Sequence, residues 1–185
     1  MNMLRTIPWV FLLGALVLGG CATPTPPAEM VPDLAATPQT LRGEVIVVTQ
    51  VTGGMETQSW NVGRIGNAEF RTALLQTLQN AGAHTTTRIS DTRGYELSCE
   101  IVSQNVAGNF DNTITLLVHY SFKNPQGKRI WAENILSEKE LSVKDIFDGQ
   151  TRMRKLQTSA IQDNFTTLIS KLTVAIAADQ HHSGQ

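Results

Sequence analysis

From Tyr95 to Phe122 the apolar side chains recur at every second position, and this alternation constrains the fold more than any other feature of the chain. Tyr95, Leu97, Cys99 and Ile101 share one parity, with Glu96, Ser98 and Glu100 on the other. After a turn at Asn109 to Asn112 the pattern resumes, Ile114, Leu116, Val118, Tyr120 and Phe122 alternating with Thr113, Thr115, His119 and Ser121. A period of two with one polar parity describes paired strands that bury one face and wet the other. Asn124-Pro125-Gln126-Gly127 makes a second tight turn, and Lys128 to about Ser137 is a third strand of the meander. The apolar face needs a cover. Two helical stripes supply it: Phe70, Ala73, Leu74, Leu78 and Ala81, with Asn67 as cap and Gly82 as stop, and Leu156, Ala160, Ile161, Phe165, Leu168, Ile169, Leu172 and Ile176 between Thr151 and Ala178. Upstream, Glu44 to Val51 is apolar at both parities and rich in β-branched residues, which suits a strand covered on both faces. The order strand, helix, three strands, helix predicts an α+β two-layer sandwich. Its four-stranded mixed sheet carries two helices on one face.

With 185 residues, 41% of them hydrophobic, the chain holds material for one such domain, expected over residues 42–178. The formal charge of −1 excludes the strongly basic surface of a nucleic-acid binder. Residues 1–20 read as an address. Arg5 gives a positive start, Ile7 to Leu18 is an apolar run, and Leu18-Gly19-Gly20 leads directly to Cys21. A helix of about a dozen residues reaches roughly 18 Å, short of a hydrocarbon core of roughly 30 Å, so a secretory signal fits better than a permanent span. The segment closely resembles the lipobox of bacterial lipoproteins. That resemblance implies cleavage between Gly20 and Cys21, acylation of Cys21 as membrane anchor and, because Ala22 rather than Asp follows, residence in the outer membrane facing the periplasm. Five of the seven prolines lie between Cys21 and Leu41, so residues 21–41 are expected to be a tether, and residues 179–185 a loose tail. Once Cys21 is acylated only Cys99 remains, and no disulfide can form within one chain.

The familiar catalytic signatures are missing. The sequence has no G-x-S-x-G elbow, H-E-x-x-H pair, C-x-x-C pair, phosphate loop or complete dinucleotide fingerprint. The sequence accordingly predicts no catalytic residue, no cofactor and no bound metal. Cys99 falls on an apolar parity and is expected to be a buried small hydrophobe, while His119 falls among Thr and Ser on the wet one. Asp148 stands where a helix begins and suits its dipole better than acid-base work. The adjacent His181 and His182 lack further ligands.

Loop residues carry a further resemblance. Val51-Thr52-Gly53-Gly54-Met55-Glu56-Thr57, Trp60, Ile65 to Leu74, Phe110 to Thr115 and Asp145 to Gly149 together resemble an uncharacterised family of small bacterial envelope lipoproteins over most of residues 42 to 172. Some relatives are labelled sugar-nucleotide acyltransferases. Such enzymes resemble β-helices of hexapeptide repeats, and no repeat of that period occurs here. In topology the body is also similar to small auxiliary lipoproteins that assist outer-membrane assembly or activate periplasmic enzymes. The leading expectation is a lipid-anchored, non-enzymatic binding or assembly module with an envelope protein as partner and no nucleic acid. The alternatives are an enzyme acting on a glycan or lipid precursor of the envelope and a small-anion binder using Gly63-Arg64-Ile65-Gly66 at a helix start.

Two regions are candidates for recognition. The connection from Thr52 to Gly66 is long for a strand-to-helix loop, and it offers Trp60 and Arg64 as anchors with Glu56 and Asn67 as supporting polar groups. Trp60 folded beneath the loop as a satellite core residue is the competing arrangement. On the third strand both parities are apolar. Either Trp131 belongs to the core, or Trp131, Ile135 and Leu117 form an apolar patch on the open face of the sheet.

Overall fold

The structure is a computed structural model that describes residues 25–34, 40–55, 64–86, 94–108 and 111–183. The elements are α1 (Pro27–Met30), β1 (Val45–Thr52), α2 (Asn67–Asn80), β2 (His84–Thr86), β3 (Tyr95–Ala107), β4 (Asn112–Lys123), β5 (Arg129–Leu141) and α3 (Gly149–Ser183). They form an α+β sandwich around a mixed sheet in the order β2-β1-β3-β4-β5. β1 runs parallel to β2 and β3, and β3, β4 and β5 are antiparallel neighbours. The sheet therefore has five strands rather than four. The extra one, β2, is three residues of His84-Thr85-Thr86 on the edge beside β1, too short and too polar to leave a periodic signal.

The expected alternation is present in β4, where Ile114, Leu116, Val118, Tyr120 and Phe122 are buried. In β3 it holds through Ile101. There a bulge between Ile101 and Ser103 inserts one residue, so Gln104 rather than Ser103 turns inward beyond it. β1 lies between two neighbours, with Ile46, Val47 and Val48 buried. The whole predicted stripe of α2 is buried, and Gly82, at φ 95°, ends the helix: its amide bonds the Gln79 carbonyl while the amide of Ala83 bonds that of Leu78. This is the paired hydrogen bonding of a Schellman stop, whose left-handed residue favours glycine. Phe70 and Phe165 meet edge to face with centroids 4.9 Å apart, joining α2 to α3 within the core.

A polar knot sits at the centre. Asn164 of α3 is fully buried and accepts a 2.6 Å hydrogen bond from the Tyr120 hydroxyl. Its amide donates to the Ile135 carbonyl at 3.1 Å and the Ser137 hydroxyl at 3.3 Å, tying α3 to β4 and β5.

Two boundaries differ from the sequence expectation. The described part of the 21–41 segment is not a tether: α1 packs against both α2 and α3, and Met30 and Leu41 are 1% and 0% exposed. Thr25 donates to Gln157, Glu29 pairs with Arg154, and Gln162 donates to the carbonyls of Glu29 and Val31. Residues 25–34 thus form a strap that lies along the helices, with the isolated apolar Met30 and Leu34 buried against them. At the other end α3 continues through Ser183, past the tail expected from Asp179. Asp179 accepts hydrogen bonds from Asn124 at 3.1 Å and Tyr95 at 3.5 Å, and Gln180 donates to Glu44, which extends the helix beyond its apolar stripe.

Candidate functional site

The Thr52 to Gly66 connection has a pinned stem. Gly53 adopts φ 78°, and a side chain there would collide with the backbone carbonyl of Ile101, so this position requires glycine on two grounds. The Met55 amide bonds the Ile65 carbonyl at 3.0 Å, and Gln104 clasps Ile65 by both its amide, at 2.9 Å, and its carbonyl, at 3.3 Å. The inward turn of Gln104 created by the β3 bulge is what places this clasp. Glu56 and Trp60, two of the four candidates of this loop, lie outside the described residues.

The other two occupy the stem. Arg64 contacts the Met55 sulfur at 3.1 Å. Asn67 was expected to cap α2, but Gly66 takes the cap position without a side-chain bond, and Asn67 is the first helical residue. Its carbonyl oxygen instead accepts from the Gly54 amide at 2.8 Å, locking one side of the stem to the other. The helix begins one residue earlier than expected because the extended Gly66 fits the cap backbone and leaves Asn67 able to reach across.

Beside this stem, Ile65, Gln104, Ile114, Leu116, Gln157, Ala160 and Ile161 line a cavity of about 10 Å³. That is room for about one water, far below the roughly 300 Å³ at which small-molecule pockets begin. Gln157 reaches this space with its carbonyl oxygen bonded to Thr25 at 2.9 Å.

The start of α3 closes the same end of the sheet. Asp148 accepts from the Thr151 amide at 2.7 Å, and this hydrogen bonding holds its carboxyl below the ordinary value. Arg152 is buried and donates to Asn112 at 2.8 Å and to the Ile146 carbonyl at 2.7 Å. The loop so braced carries Phe147, which is 91% exposed. The sequence places Phe147 in the Asp145 to Gly149 loop, but no periodic signal marks its ring as standing in water.

On the open face the predicted patch of Leu117, Trp131 and Ile135 does not form. Ile135 is buried on the helix side, and Trp131 stacks on Tyr120 with centroids 6.5 Å apart. The β4–β5 register decides this: Phe122 pairs with Trp131 and Val118 with Ile135, both partners being core residues, whereas Leu117 pairs with Leu136. Leu136 is therefore the outward residue, 59% exposed, with Val102 exposed at the bulge two strands away. His119 bonds Asn134 at 2.7 Å on the same outer face.

Cys99 is buried, and burial pushes its thiol up to about 12. The nucleophilic form of a thiol is the thiolate, so this cysteine is chemically quiet. In the native protein Cys99 is expected to resist alkylation at pH 8 and to react fully once urea unfolds the chain. Quantitative labelling without denaturant would contradict its placement. Among the described residues no group of three His, Cys, Asp or Glu is gathered as a metal site.

No family model matches the sequence, and no curated protein matches it. Among solved structures a Xanthomonas campestris protein assigned to the domain family DUF330 superposes with a TM-score of 0.61, at 12% identity over 82% of this chain and 94% of its own. The two share one fold. A hypothetical protein of Chlamydia trachomatis follows at TM-score 0.55 and 12% identity, covering 74% of this chain and 99% of its own. Rare lipoprotein B of Shewanella oneidensis gives a TM-score of 0.47 at 7% identity, over 77% and 100% of the two chains. At these identities the likeness to the first two is one of architecture.

Proposed function

We propose that the chain is a bacterial envelope lipoprotein, acylated on Cys21 and held at the periplasmic face of the outer membrane, where it works as a binding or assembly module. The observation that carries this reading is the junction between address and fold. Leu18-Gly19-Gly20-Cys21 ends the apolar run, and Thr25, four residues later, already bonds Gln157 of α3. Cleavage before Cys21 therefore leaves the whole domain intact and places a lipid beside it. The binding role is supported by the open sheet face, where Val102, Leu117 and Leu136 form an aliphatic strip across β3, β4 and β5. Both sheet-covering helices lie on the other face.

Two measurements test the two halves of the reading. The mature protein is expected to begin at Cys21 with an acylated mass, and Cys21→Ser to yield either an uncleaved precursor or a chain that partitions away from detergent. A mature chain without lipid, or starting elsewhere, overturns the anchor. A photocrosslinker at Leu136 is expected to trap a discrete envelope protein in cells. Recovery of the uncrosslinked protein alone overturns the use of this face.

A further inference from the structure

Exposed apolar side chains gather at one end of the domain. Of the six large hydrophobic residues left in water among the described residues, Met55, Val106 and Phe147 share the end where β1 and β3 finish, β4 starts and α3 begins. Phe147 is the most exposed of the six, at 91%. Its loop is not loose: the Arg152 side chain bonds the Ile146 carbonyl, Asp145 accepts from the Ser142 amide, and Asp148 caps α3. The ring is held outward by a built support, with a large apolar area that water solvates poorly.

The N-terminal strap arrives at the same end. Thr25 bonds Gln157, which lies five residues beyond Arg152, about 7.5 Å along the axis of α3. From Thr25 the strap runs toward the far end of α3, with Gln162 bonded to Glu29 and Val31 and Thr173 bonded to Thr40. Followed backward, the chain leads toward the Phe147 end. The four residues from Thr25 back to Cys21 span at most about 14 Å. An acyl group on Cys21 therefore cannot stand far from this surface.

We infer that this end of the domain lies against the bilayer that holds the Cys21 acyl chains, with the Phe147 ring seated among the headgroups and Met55 and Val106 beside it. The inference rests on acylation of Cys21. Lys144, Asp145 and Asp148 flank the ring with both signs of charge, so the contact is apolar and does not depend on anionic lipid. The orientation also directs the strip of Val102, Leu117 and Leu136 sideways rather than into the membrane, since a sheet face runs along the strands and not across their ends.

The test uses the full lipidated protein in phosphatidylcholine vesicles, with a nitroxide on Phe147→Cys or on Val174→Cys. Val174 is exposed and lies roughly 25 residues, about 38 Å, further along α3. Cys99 does not compete for the label because its thiol is buried. The expected result is that the nitroxide at 147 loses accessibility to a water-soluble relaxation agent and gains it to oxygen, while that at 174 stays accessible to the former. Intact mass of the same samples reads the anchor separately. Absence of the acyl group overturns the anchoring reading and this inference with it. An acylated protein whose two nitroxides are equally accessible to the aqueous agent, or whose 174 position is the protected one, overturns the orientation alone.

Discussion

Replacement of Asn164 by Leu is expected to lower the unfolding free energy by about 3–4 kcal/mol, because stranded buried polar groups cost about 1–3 kcal/mol each. Asn164 is fully buried and serves three partners: the Tyr120 hydroxyl, the Ile135 carbonyl and the Ser137 hydroxyl. Leucine has the same branched outline and a larger volume, so the loss comes from stranded polar groups with some overpacking and not from an empty space. What remains is a phenol in the core with nothing to accept its proton. Burial already pushes the Tyr120 hydroxyl well above its ordinary pKa, so ionisation offers no relief. Urea titration should show a lower midpoint with an unchanged slope. Adding Tyr120→Phe to Asn164→Leu removes the orphaned phenol, and the double variant should be less destabilised than the sum of the singles. Strict additivity would mean that the 2.6 Å bond contributes nothing.

A chain beginning at residue 42 is expected not to fold. It lacks Met30, Leu34 and Leu41, all buried against the helices, together with the bonds from Thr25 to Gln157 and from Gln162 to the strap carbonyls. Truncating one such side chain to Ala in a core typically costs about 2–5 kcal/mol, and whole domains are stable by only about 5–15 kcal/mol. The exposed Glu29–Arg154 pair adds little to that account. Circular dichroism of the 42–185 chain should show lost cooperative melting, and Met30→Ala in the full chain should melt lower but still cooperatively. A 42–185 chain with the wild-type melting temperature would restore the segment to the role of a tether.

Most of the architecture was legible where one physical period dominated. β4 alternates without interruption, and both long helices present a continuous apolar stripe, so the burial of Phe122 or Leu168 follows directly from spacing. The failures have local causes. In β5, Trp131 and Leu136 have opposite parity and similar hydrophobicity, and only pairing with β4 decides which faces inward. The strap offers apolar residues without a period, Met30 and Leu34 among prolines, and composition alone reads such a stretch as solvated. Of the candidate site, the long loop was visible as an excess of length. The clasp by Gln104 was not, because it depends on a one-residue bulge that shifts which side chains of β3 turn inward.

The strap also sets an order of events in the life of the chain. Thr25 and Gln157 are separated by 132 residues, and Thr40 and Thr173 by 133. As the chain emerges from its N-terminus, the first described segment must wait for the last helix before it has anything to close upon. Contacts of such separation are costly in loop closure and form late. Under the proposed processing at the Gly20–Cys21 bond, cleavage would act on an open chain, before Thr25 has bonded Gln157 of α3. A polypeptide that stops short of α3 leaves the strap and the β4–β5 part of the apolar sheet face uncovered, and is fit for proteolysis rather than a smaller working domain.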